Sequence, residues 1–169
     1  MNTNSDFDYN YDSPQLNQTP ETPVFSMKWH KFLIYFSLWL GALVSLGNAG
    51  MYFGGLHYGD SVRLVYAVYP GMSILDKVMG VACLAIMVYT IMTRFALAGY
   101  RTKGPRMLGG VYAANAVIAV VYAVLASVVS GLPLGDMLDS SSIGSLIGSV
   151  AMIFINRDYY GKRAVLFNR

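Results

Sequence analysis

The side chains able to do chemistry are few and far apart. Cysteine occurs once, at Cys83, so the chain has neither a disulfide framework nor the cysteine pair of a thiol oxidoreductase. Its two histidines, His30 and His57, flank a long apolar run and belong at opposite ends of the element that run forms. They cannot converge on one metal, which needs three or four ligands, or act as the buried base of an intramembrane serine protease. Asp136 and Asp139 stand three apart in a Gly/Ser-rich stretch. Such a pair could serve a reaction at a lipid surface, but two acids in that setting are ordinarily solvated. These spacings imply no catalytic residue, no metal and no cofactor.

The densest charge lies in "TRFALAGYRTKGPRMLGG", residues 93–110, with Arg94, Arg101, Lys103 and Arg106 between two apolar runs. A phosphate-cradling Walker loop needs two glycines at set spacing and a Lys-Ser/Thr pair directly after the second; Gly99, Gly104 and Gly109 have the spacing, but Pro105 and Gly110 stand where the lysine is required. Gly104-Pro105 instead reads as a break and a restart, because proline disfavours helix before it and suits the first turn of the next. The loop is therefore expected to join two helices at their basic ends.

Stepping from these residues to the elements that carry them, the composition is 55% apolar and 12% charged, about half the charged fraction of a typical soluble domain. Phe32–Phe53 holds 22 residues without a charge, about 33 Å of helix against a hydrocarbon core of about 30 Å. Met107–Leu132 holds 26 and Ser140–Asn156 holds 17, while Val78–Thr93 holds only 16 between Asp76-Lys77 and Arg94. If the last of these begins near Ser73, its flanking charges fall in the two interfaces. The fold expected is an all-α integral membrane protein, a compact bundle of four transmembrane helices over about 32–53, 74–97, 107–131 and 141–156. Between the first two spans, residues 54–72 open on a Gly pair and close on Pro70-Gly71. They are expected to form an ordered extracytoplasmic segment that does not span: a short interfacial helix, a strand pair or a folded-back loop.

Residues 1–26 contain four acids, no Lys or Arg, and prolines at 14, 20 and 23; this is expected to be a disordered acidic tail. It lacks the basic start and apolar core of a cleaved signal, so the first span is expected to act as an uncleaved one. Residues 158–169 form a basic tail. Four spans put Lys28, Lys31, Arg94, Arg101, Lys103, Arg106, Arg157, Lys162, Arg163 and Arg169 on one side, against Arg63 and Lys77 on the other. By the positive-inside rule both termini are expected in the cytoplasm, in a multi-pass plasma (inner) membrane protein. Lys28, Trp29, Lys31, Arg101, Lys103, Arg106, Arg157, Lys162 and Arg163 are expected to anchor at anionic lipid headgroups. A net charge of +3 gives no reason to invoke nucleic acid.

By this placement no ionisable side chain lies deep in a span, which removes the carboxylate of a small proton-coupled exporter. Packing chemistry remains. Gly144 and Gly148 form a GxxxG pair, and Gly50 and Gly54 repeat it in the first span; small residues let helix backbones approach closely. Asn48 and Asn115 could bond between helices at about 0.5–2 kcal/mol, or line a polar path.

"TRFALAGYRTKGPRML" before a long apolar span, with "NRDYYGKRAVLF" after the last one, resembles uncharacterised small four-span integral membrane proteins of Gram-positive bacteria. The likeness covers residues 73–169 and implies a bacterial plasma membrane and no activity. Two functions stay open. One is a non-enzymatic accessory subunit or scaffold that meets a membrane-protein partner or a second copy. The other is a small oligomeric transporter or channel for a neutral solute, lined by Asn48, Asn115, Thr90 and the serines of the fourth span. Convergence of those residues on one cavity would favour transport; dispersed and satisfied partners would favour assembly.

Overall fold

The computed structural model describes residues 26–138 and 140–168, and within them every regular element is helical. Helix α1 (Lys28–Phe32) runs through a π-helical stretch, Leu33–Ser37, into α2 (Leu38–Gly54). The junction residues Phe32, Leu33 and Ser37 are all right-handed helical, so this is one helix carrying a π-bulge. The acidic tail lies outside the described residues except for Ser26, as do Asp139 and Arg169.

Gly55 ends α2. Its φ of +63° is left-handed, and its N–H bonds the carbonyls of Met51 and Tyr52, which closes the helix as a C-terminal glycine does. A Cβ there would lie 2.4 Å from Val62 Cγ2 and 2.6 Å from the Tyr66 hydroxyl, so both conformation and space select glycine. The segment predicted as non-spanning is helical: a 3₁₀ stretch, Leu56–Ser61, then α3 (Val62–Val68). Of the three forms open to it, the strand pair does not occur. An eight-residue apolar run rich in β-branched residues does not discriminate between strand and helix by period alone.

Helix α4 (Pro70–Ala98) has 29 residues and starts on the proline. Pro70 fits there because the first turn has no partner for its missing N–H. The second span, whose uncharged run looked short, is therefore continuous through Asp76-Lys77. Helix α5 (Gly104–Ser130) also opens on a proline and ends at Gly131 with φ +71°. A four-residue turn, α6 (Leu134–Met137), leads to α7 (Ser140–Gly161), and a 3₁₀ turn, Ala164–Leu166, folds the tail back.

Among the described residues three helical stretches are long and apolar enough to cross a bilayer: Lys28–Val68, Pro70–Ala98 and Gly104–Ser130. The first has 41 residues and includes the break at Gly55, so its uninterrupted part is Lys28–Gly54. Tyr35, Leu43, Val117, Val128 and Phe154 are among many large apolar side chains left exposed. Apolar surface on this scale marks a membrane or a protein interface.

The long helices lie side by side in chain order, α2 on α4, α4 on α5 and α5 on α7. Best packed is the end that holds the basic loop, where Leu33, Ile34, Leu38, Leu97, Leu108, Tyr160 and Phe167 form one buried cluster.

Candidate functional site

Two side-chain clasps, one at each end, join helices that are distant in sequence. At the basic end, Trp29 Nε1 donates to Asn156 Oδ1 at 3.1 Å, and His30 Nδ1 pairs with the Tyr160 hydroxyl at 3.0 Å. His30 is only 1% exposed, with the rings of Tyr100, Tyr160 and Phe167 centred 5.2–5.8 Å away. Its Nε2 is buried without a partner. Burial lowers the His30 pKa below that of a free imidazole, because an apolar cage disfavours the charged ring.

At the other end Asp76 is 0% exposed. Tyr66 donates its hydroxyl to Oδ2 and Tyr122 donates to Oδ1, both at 2.9 Å. His57 Nε2 lies 3.7 Å from Oδ1 and 3.3 Å from the Tyr122 hydroxyl, which also meets that of Tyr58 at 3.3 Å. The Tyr52 ring leans on both His57 and Tyr122. Asp76 was expected at the membrane interface near the start of the second span; it is instead buried at the centre of a network from α3, α4, α5 and the 3₁₀ turn. This is what lets an acid occupy a wholly buried position, since a buried carboxylate is tolerated only when hydrogen-bonded. Sequence reasoning missed this group. The available signal was the run of tyrosines at 52, 58 and 66, each of which reaches the acid or its partners.

Between the clasps, α2 and α5 face each other across α4, around a cavity of about 190 Å³. Ser37, Ser45, Asn48, Thr90, Tyr112 and Asn115 are its polar wall. Asn115 donates Nδ2 to the Val111 carbonyl one turn back, at 2.9 Å. Asn48 has no hydrogen-bond partner among the described residues, and both asparagines are exposed. At about 30 Å³ per water the space matches about six waters. Three of the four polar features proposed for a path, Asn48, Asn115 and Thr90, thus share one wall, to which the serines of α7 do not contribute.

The small-residue sites are placed differently. An added Cβ at Gly50, Gly144 or Gly148 would meet nothing within 4 Å, and at Gly54 it would meet only Leu56 of the following turn. These glycines therefore face away from the helices of their own chain. The basic residues gather at one end. Lys28, Lys31, Arg101, Lys103, Arg106, Arg157 and Lys162 are exposed, Trp29 and Arg163 half-buried. Arg94 lies flatter against the bundle, its guanidinium 5.3 Å from the centre of the Trp39 ring and 4.8 Å from that of Phe95.

No family model, curated protein or solved structure matches this chain.

Proposed function

We propose that this chain is a four-span plasma-membrane protein with both termini in the cytoplasm. It acts without catalysis, as an accessory subunit or scaffold joined to another membrane protein or a second copy by helix–helix contact. The observation that carries this reading is the bare face of α7. That helix is the least apolar of the four long ones and is not among the three suited to a span on hydropathy. Among the long helices it packs chiefly on α5, while Trp29 and His30 of the first helix bond its last turns at Asn156 and Tyr160. Gly144 and Gly148 lie open on it, between Ile143 and Ile147, which are 47% and 66% exposed. A groove of glycine beside a ridge of isoleucine suits a second helix, because close backbone approach gains dispersion contacts that lipid tails do not supply as well. Serines on the same helix are costly against hydrocarbon and find partners against protein.

Extraction from native membranes in mild detergent, with intact-complex mass, tests the reading. A stoichiometric complex is expected for the wild type, and Gly144→Leu/Gly148→Leu should dissociate it while leaving the monomer folded. A monomeric wild type would refute it. One observation favours the second reading, an oligomeric path for a small neutral solute: the gathering of Asn48, Asn115 and Thr90 on one open cavity. Loss of solute flux in Asn115→Leu, with assembly intact, would select that reading.

A further inference from the structure

We propose that the cleft between the first turn of α5 and the last turns of α7 is a binding site for the headgroup phosphate of an anionic phospholipid. The cleft has a volume of about 450 Å³, within the range of about 300–1,000 Å³ usual for small-molecule pockets. Arg106 lines it from α5 and Arg157 from α7, so two arginines from different helices share one concavity. Planar guanidinium pairs match the geometry and charge of a phosphate diester.

The other polar groups of the wall are already engaged. Asn156 accepts from Trp29 and donates to the Met152 carbonyl, and the Tyr160 hydroxyl meets His30. Among the described residues no carboxylate lines the cleft. Asp158, the acid next to Arg157 in sequence, is held by Lys162 at 2.7 Å. Arg106 and Arg157 have no hydrogen bond or ion pair among the described residues. Two cations thus line a preformed space that holds no counter-charge among the described residues. Ile153, Pro105 and Phe167 supply apolar wall beside them, as a glycerol backbone and the first acyl carbons require. A lipid is the source to which the site commits, because the cleft lies at the basic end of the bundle, beside α5, which is long and apolar enough to cross a bilayer. Basic pockets between spanning helices select anionic headgroups in this way. This site needs the bundle to lie in a membrane, but it does not depend on association with a partner.

The test is native mass spectrometry of the full chain in detergent micelles, with phosphatidylglycerol or phosphatidylcholine added. A single retained phosphatidylglycerol per chain is expected, in preference to phosphatidylcholine. Arg106→Gln and Arg157→Gln should each weaken retention by about fivefold. Gly109→Leu is the control for shape. Gly109 lines the cleft, and a Cβ there meets nothing within 4 Å, so leucine adds bulk at the cleft without changing its charge. It should abolish the adduct. Full retention in Gly109→Leu, with loss in the arginine variants, would mean general surface attraction and overturn the pocket. Equal retention of both lipids, or no effect of either arginine, would overturn it too. Displacement of the lipid by millimolar inorganic phosphate, with a phosphate adduct in its place, would assign the site to a soluble anion and overturn the lipid.

Discussion

Replacing Tyr122 with phenylalanine removes one oxygen atom from the middle of the Asp76 network. That hydroxyl has a single proton, directed to Asp76 Oδ1 at 2.9 Å, while its contacts to Tyr58 and His57 are both longer, at 3.3 Å. The phenylalanine ring still fills the space against Tyr52, so the variant removes the hydroxyl's polar contacts and keeps the packing. Polar contacts between membrane helices average about 0.6 kcal/mol, with a maximum near 1.7, whereas a hydrogen bond to a charged group is worth about 1.5–3 kcal/mol. The second range applies here. Asp76 is wholly buried, so water cannot replace the lost donor, and Tyr66 at 2.9 Å and His57 at 3.7 Å are left beside the carboxyl group. The expected loss is about 2 kcal/mol, or on the order of 5 °C in the melting midpoint for a chain of this size. The assay is thermal unfolding in mild detergent, repeated in an Asp76→Asn background. There the same change should cost only about 0.5–1.5 kcal/mol, as for a neutral pair. A Tyr122→Phe variant as stable as the wild type, or an equal cost in both backgrounds, would refute the assignment of Asp76 as the buried centre of this end.

The His30 clasp should weaken in acid. Burial holds its folded pKa below the free value, so the neutral ring is favoured; the stabilisation is complete above about pH 6.5 and is lost as the pH falls below it. Melting midpoints from pH 7.5 to 5 should therefore fall, and His30→Phe should reduce that slope; an unchanged slope would count against the clasp. Gly55→Ala should destabilise the chain by more than about 1 kcal/mol, since it strains the left-handed turn and pushes on the Tyr66 hydroxyl; an unfolding titration would check this. For orientation, a cysteine placed at Lys103 should resist an impermeant thiol reagent in intact cells and react after permeabilisation. Labelling in intact cells would reverse the assigned sidedness.

Much of the helical layout was readable from uncharged runs and prolines. The run Phe32–Phe53 lies inside the continuous helix from Lys28 to Gly54, and Gly104-Pro105 opens α5 as its chemistry suggests. What misled was local polarity. Asp76-Lys77 reads as an interface when only neighbours in sequence are known, and the hydroxyls that make burial tolerable come from Tyr66 and Tyr122, ten and 46 residues away. Pro70 reads equally as the end of a turn or the start of a helix, and the residues after it decide. The gathering of Asn48, Asn115 and Thr90 was accessible as one of two alternatives, because each sits on a span. The open setting of Gly144 and Gly148 was not, since the spacing is the same whether the partner helix belongs to this chain or another.

The most direct test of association is to place a photo-crosslinking residue at Ile147, on the bare face of α7, and irradiate cells that express the full chain. A discrete protein adduct is expected at position 147. It should be absent with the crosslinker at Val88, an exposed apolar position on α4. Lipid adducts alone at both positions would show that α7 faces the bilayer and would contradict the account.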